Sequence, residues 1–251
     1  MIRRDIMLYV MNVWSTVHQP EQIETIKNMV KQTGTLRIQK PVYLNRQGLR
    51  NYMIQIYGQE RWAGSPYNHF RGIWRKVDQC YVEKKPLHVL AFECDKLIEV
   101  VKLKERIRAY CKIGKSSVHT SDTKEEADRM LRLLLHKNTV DFMNTVWPDK
   151  YPYLVSRLRK FAKKREQYKI PLEDLVLISE SVFTLYGKKR KRKISWITRN
   201  GYHTTNIEKY NKKEFEAKIT DVLKETAFLE ENVIYFWNLK FVTLKYLLEI
   251  V

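Results

Sequence analysis

Asp5-Ile-Met-Leu-Tyr-Val-Met-Asn-Val-Trp14 is the stretch on which the fold reading turns. After Asp5 it is apolar apart from Asn12, and an uninterrupted apolar run of this length suits a strand covered on both faces. Pro20-Glu21 then opens a helix on which Ile23, Ile26, Met29 and Val30 keep helical spacing, and Gly34 closes it. Residues 35–43 are β-branched enough for a second strand. Asn45 caps a second helix through Leu49, Met53 and Ile56, ended by Gly58. The β-α-β-α order predicts an α/β layered domain with a partly parallel sheet.

Outward from this start, residues 58–81 break into Trp62, Gly64, Pro66, Gly72 and Trp74 among polar residues, which reads as a structured aromatic loop. A strand is expected at 87–92 and an amphipathic helix at 95–110, through Leu97, Val100, Val101, Leu103 and Ile107. Asp122 or Thr123 can cap the next helix, with Glu125 or Glu126 completing a capping box and Ala127, Met130, Leu131 and Leu134 on one face. Trp147-Pro148 ends a three-layer-like α/β half over 1–148. The remainder, 149–251, reads as a small α+β half. It should hold a basic helix over 151–170, a strand-turn segment at 175–186 and a strand at 194–198. A mixed-charge helix at 212–230, a last strand at 233–241 and a C-terminal helix complete it.

The chain of 251 residues carries 47 Lys and Arg against 28 Asp and Glu, a formal charge of +19. A balance that far from zero points to a polyanionic partner: nucleic acid, a phosphate-rich substrate, an acidic membrane or an acidic protein surface. The hydrophobic fraction of 44% supports a real core, and eight glycines and seven prolines exclude collagen-like chains and long flexible linkers. Cys80, Cys94 and Cys111 form no Cys-x-x-Cys pair, so neither a zinc ribbon nor a redox dithiol is expected. Neither a secretory leader nor a membrane span is expected, which suits an intracellular protein or one of a virus particle or virus factory.

Four features could carry chemistry. Gly114-Lys115-Ser116 lacks the glycine-rich cradle and preceding strand of a phosphate-binding loop, so it reads as an ordinary connection. Lys115, Ser116, Ser117, His119 and Asp122 nonetheless lie beside a helix N-terminus and make a candidate phosphate site, with helix capping the plainer alternative. Trp62, Tyr67, His69, Phe70 and Trp74 interleave with Arg61, Arg71, Arg75 and Lys76. Such a loop either packs on itself as a small core or stacks bases and neutralises phosphates. Residues 151–193 hold thirteen Lys or Arg and four Asp or Glu. Polyanion binding is expected there from Arg157, Arg159, Lys160, Lys163 and Lys164, and from the run Lys188, Lys189, Arg190, Lys191, Arg192 and Lys193. The histidines have no metal-ligand spacing, and no cofactor is expected.

Leu177-Ile-Ser-Glu-Ser-Val-Phe-Thr-Leu-Tyr-Gly187, six basic residues and Ile194-Ser-Trp-Ile197 resemble the signature of the nucleotidyltransferase (DNA polymerase beta-like) superfamily. Residues 236–248 are similar to the strand and helix that follow in its minimal members. The resemblance implies a helix with small residues, a turn and a strand bearing two alternating carboxylates that chelate Mg²⁺. Here those positions are Lys193 and Ser195, so it implies a half without two-metal transfer chemistry.

Two functional readings result. One is a basic, non-catalytic nucleotidyltransferase-like protein that binds nucleic acid or another polyanion, as in a viral or other large assembly. The other is a transferase acting on a nucleotide or nucleotide-sugar, with its site among His18, Glu93, Asp95, Lys115, His119 and Asp122.

Overall fold

The structure is a computed structural model that describes residues 6–188, 194–199, 214–216 and 225–250. It mixes helices and strands in two sheets, an α/β chain as expected. The N-terminal half runs β1 (Met7–Val13), α1 (Pro20–Thr33), β2 (Thr35–Val42), α2 (Arg46–Tyr57), α3 (Arg71–Cys80), β3 (Leu87–Cys94), α4 (Leu97–Cys111), β4 (Val118–Thr120), α5 (Lys124–Leu135) and α6 (Lys137–Thr145).

Its four strands lie in the order β2-β3-β1-β4. Every neighbouring pair is antiparallel, from Met7 opposite Cys94 to Val13 opposite His88 along the central pair. This corrects the partly parallel sheet expected from the sequence. The crossovers β1-α1-β2 and β3-α4-β4 are interleaved, so parallel-running strands are never neighbours, a split β-α-β or ferredoxin-like topology. The continuous apolar run misled because β1 is central and covered on both faces, which parallel sheets usually require but this antiparallel one also provides.

Alternation along β1 sorts the two faces. Tyr9, Met11 and Val13 pack with Ile23, Ile26 and Val30 of α1 and Val100, Leu103 and Ile107 of α4. Val10 and Trp14 face the other way, into a cluster shared with Tyr52 and Met53 of α2, Ile73 and Val77 of α3, and Met130 and Leu134 of α5. The result is three layers. The segment read as a loop over 58–81 contains α3, whose Ile73, Val77 and Cys80 are buried at helical spacing. The helix α6 was not anticipated either.

The second half adds α7 (Pro152–Gln167), β5 (Leu175–Ile178), α8 (Glu180–Leu185), β6 (Ile194–Thr198), β7 (Glu214–Glu216), β8 (Val233–Phe236), β9 (Leu239–Val242) and α9 (Leu244–Glu249). Its sheet is mixed, in the order β7-β6-β5-β9-β8. The single strand expected at 233–241 is a hairpin instead. Trp237 and Asn238 at its tip both take positive φ, 53° and 55°, as a tight two-residue turn requires. The helix expected over 212–230 is overturned at Glu214–Glu216, which pairs in parallel with β6; residues 217–224 lie outside the described residues.

Side chains from both halves share one apolar cluster, from Val10 to Leu247. Phe142 meets Phe236, and Phe70 stacks on Trp237 with centroids 5.7 Å apart. The Trp237 amide donates to Gln55 Oε1 at 2.6 Å. Arg50 of α2 makes a fully buried two-pronged ion pair with Asp149 (Nη1–Oδ1 2.9 Å, Nη2–Oδ2 2.5 Å). Its guanidinium contacts the rings of both Trp74 and Trp147, at 5.1 and 4.7 Å, and the two rings touch each other with centroids 6.0 Å apart. Among the described residues no helix is long and apolar enough to cross a membrane.

Candidate functional site

A cleft of about 1160 Å³ opens between the 57–79 segment, α4 and the residues around β4. Arg61, Arg71, Arg75 and Lys76 line it from one side, Lys104 and Arg108 from α4, and Lys115 from the turn before β4. Against these seven cations stand three carboxylates, Glu60, Asp122 and Glu126. Lys104 approaches Asp122 at 3.5 Å, Arg108 reaches Glu105 at 2.7 Å, and Lys76 donates to the Lys115 carbonyl at 2.8 Å. Among the described residues Arg61, Arg71, Arg75 and Lys115 have no carboxylate partner. Like charges gathered this way repel one another until an anion arrives.

The backbone carrying Trp62 and these arginines is firmly built. Ser65 N–H donates to Asn68 Oδ1 at 2.8 Å, and Phe70 N–H to the Ser65 carbonyl at 2.9 Å. His69 and Phe70 take positive φ (52° and 49°), a conformation that costs energy for residues with a Cβ and is kept only where surroundings enforce it. Arg50 Nη2 supplies that enforcement by donating to the His69 carbonyl at 2.9 Å. Phe70 is buried in the core, whereas Trp62 is 47% exposed and 5.4 Å from Tyr57. The aromatic segment is therefore both a small core and a cleft wall.

At the cleft floor, His119 of β4 lies between Trp14 (6.4 Å, stacked) and Tyr57 (5.1 Å, edge-on). Its Nε2 meets Glu126 Oε1 at 3.1 Å, and Glu126 Oε2 accepts the Asp122 N–H at 2.9 Å. Thr123 caps α5 by accepting the Glu126 N–H. Burial alone would raise the Glu126 carboxyl. The His119 hydrogen bond, the Asp122 amide and the Arg129 charge outweigh it and hold the carboxyl below its usual value. A depressed carboxyl contributes stability above its unfolded value of 4.5, lost as pH falls through the lower folded value. The variant E126Q is accordingly expected to lose about 1.5–3 kcal/mol at pH 7, the cost of a charged hydrogen bond. Urea melts of both proteins between pH 7 and 3 should show that gap narrowing in the acid range.

Lys115, His119 and Asp122 thus reach the cleft together. Ser116 and Ser117 do not: the Ser117 hydroxyl closes its own turn onto the Gly114 carbonyl at 2.6 Å, and the Ser116 carbonyl accepts from Thr16. Glu93 lies at the end of β3 and Asp95 just beyond it, and antiparallel pairing puts Glu93 opposite Leu8, away from His119 beside Asn12. Glu93 pairs with Arg37, and His18 with the Ser15 carbonyl. The basic helix is not a continuous cationic face. Arg157 is buried, and half-buried Arg159 donates to the Gly58 carbonyl, leaving Lys160 and Lys163 exposed with Lys164 partly so. Lys188 ends a described stretch, and Lys189, Arg190, Lys191, Arg192 and Lys193 lie outside the described residues. Ser195 is buried on β6, its amide donating to Ser181 Oγ. Among the described residues no three His, Cys, Asp or Glu side chains converge as a metal would need.

Sequence reading missed Tyr57, Lys104 and Arg108, and saw Glu126 only as a cap. The i, i+4 spacing of Lys104 and Arg108 on α4 was the available signal. Compared with known proteins, the chain matches no family model, and no curated protein matches it.

Proposed function

We propose that this chain binds a phosphorylated ligand of the nucleotide class in the N-terminal cleft. The observation that carries the reading is the surplus of cations over carboxylates around a space of about 1160 Å³, with the half-exposed Trp62 ring at its edge. Arginines not engaged by carboxylates offer the fork geometry that phosphate oxygens accept, and an aromatic face stacks a base. The space is somewhat larger than most small-ligand sites, which leaves room for a second group beside the nucleotide.

Thermal unfolding with ATP, GTP, CTP, UTP and UDP-glucose, and with inorganic pyrophosphate as the base-free control, tests it. At a hundredfold excess over Kd the stabilisation expected is about 2.7 kcal/mol. The double charge reversal R71E/R75E should abolish it, and pyrophosphate should bind more weakly than the nucleotides. Failure of every nucleotide to stabilise the wild type, or an equal effect in R71E/R75E, would overturn the reading.

Nucleic-acid binding along 151–193 has less support, because Arg157 and Arg165 are buried and Arg159 is engaged by backbone. A labelled single-stranded oligonucleotide distinguishes the two surfaces. Binding through the cleft is lost in R71E/R75E, and binding along α7 in K160E/K163E, with a shallower salt dependence.

A further inference from the structure

We infer that His119 is a catalytic base of this cleft, held in position by Glu126, for transfer of a phosphorus-linked group from a bound nucleotide to a hydroxyl-bearing acceptor. The inference rests on the nucleotide-binding reading and adds a reaction to it. His119 and Glu126 both line the cleft, with side chains only 16% and 17% exposed. Glu126 is ionised and can only accept, so the nitrogen facing it, Nε2, must carry the proton. In the neutral form of such a ring the lone pair is on Nδ1. A base whose outer nitrogen is oriented by a carboxylate is the arrangement that activates hydroxyl groups in many unrelated enzymes. Glu126 is itself fixed from behind by the Asp122 amide and by its place in the first turn of α5. Capping alone would be served by Thr123, and would not require that carboxylate to reach the imidazole.

The step balances without a metal or redox partner. The acceptor oxygen forms its bond to phosphorus while its proton passes to His119 Nδ1. The bridging P–O bond breaks, and the leaving phosphate takes the electron pair, its charge met by Arg71, Arg75 and Lys115. The imidazolium, stabilised by Glu126, then returns the proton to the leaving oxygen or to solvent. Water serves as acceptor when no other is present, giving slow hydrolysis. The titratable and charged groups around the ring are Glu126, Asp122 and Arg129 from the α5 side, Tyr57 from α2, Lys104 and Arg108 from α4, and Lys115.

The test joins nitrogen-15 NMR of His119 to phosphorus-31 NMR of the same nucleotide panel, using wild type, H119Q, E126Q and E126D. The neutral Nε2–H tautomer is expected in the wild type. In E126Q the preference for the Nε2–H tautomer should be lost, because an amide can present either a donor or an acceptor to the ring, with recovery in E126D. Hydrolysis of the nucleotide that binds should decline on the acid side, where a base is protonated, and that limb should vanish in H119Q. The rate should fall at least about 100-fold in H119Q, the usual worth of a general base. Folding of each variant is checked by its melting curve, and the tautomer and titration of the wild type need no substitution at all. Nucleotide binding without turnover, turnover indifferent to H119Q, or a protonated Nδ1 in the neutral ring would each overturn this inference while leaving the binding reading intact. No binding by any nucleotide would overturn both.

Discussion

Replacing Arg50 by alanine is expected to destabilise the protein by about 3–5 kcal/mol, the largest single effect foreseen for this chain. Arg50 and Asp149 are both fully inaccessible to solvent, so the substitution leaves a buried carboxylate with only the His69 ring, 3.7 Å away, beside it. It also removes the cation packed on Trp74 and Trp147 and the donor that holds the His69 carbonyl. The pair itself is not the source of that number. Desolvating two charges offsets most of their attraction, so the shape-matched apolar pair R50M/D149L should cost much less than R50A alone. Chemical denaturation of the three proteins measures this directly. Equal losses in R50A and R50M/D149L would mean that packing rather than charge sets the cost. Nucleotide binding should weaken in both variants, because His69 and Phe70 keep their positive φ only while Arg50 holds them.

Gly72→Ala is expected to be the second large effect, at about 2–3 kcal/mol from overpacking. A Cβ at position 72 would stand 1.8 Å from the Trp62 carbonyl oxygen. The obstruction is backbone, so no side-chain rotation relieves it. Either the Trp62 segment moves off α3 or α3 unwinds at its first turn, and both displace the ring and arginines of the cleft wall. Melting curves with and without the tightest-binding nucleotide should show lower stability and a much smaller ligand-induced shift. A G72A protein that retains the full nucleotide shift would show that the Trp62 wall does not take part in binding.

Much of the N-terminal half was legible because its elements announce themselves locally. Ile23, Ile26 and Val30 gave α1 its period, Asn45 and Gly58 bounded α2, and Thr123 marked the start of α5. Strand direction was not legible, since an apolar run records burial on two faces and says nothing about which neighbour pairs with it. The helix α3 was hidden by Gly72 and by Gly58, Gly64 and Pro66 before it, although Ile73, Val77 and Cys80 kept the right spacing. The hairpin tip was hidden because tryptophan is an unusual residue at positive φ. In the candidate site, Lys115, His119 and Asp122 were visible from one local segment, and Arg71 and Arg75 from another. That the two segments form a single wall-to-wall cleft depends on how α3 and α4 pack, which no local pattern encodes. The basic segment showed the converse: composition counted its arginines but could not tell that Arg157 and Arg165 turn inward.

The hairpin tip has a consequence for how the protein comes into being on the ribosome. Trp237 backs Phe70, beneath the cleft loop, and its amide closes on Gln55, which is 182 positions earlier in the chain. At ordinary elongation rates that interval is on the order of 10–40 s. Throughout it the nascent first half carries Phe70 and Gln55 without their lasting neighbour. A sheet and its helices can form early, but the cleft receives its backing only when the hairpin emerges, so a half-made chain holds no finished cleft.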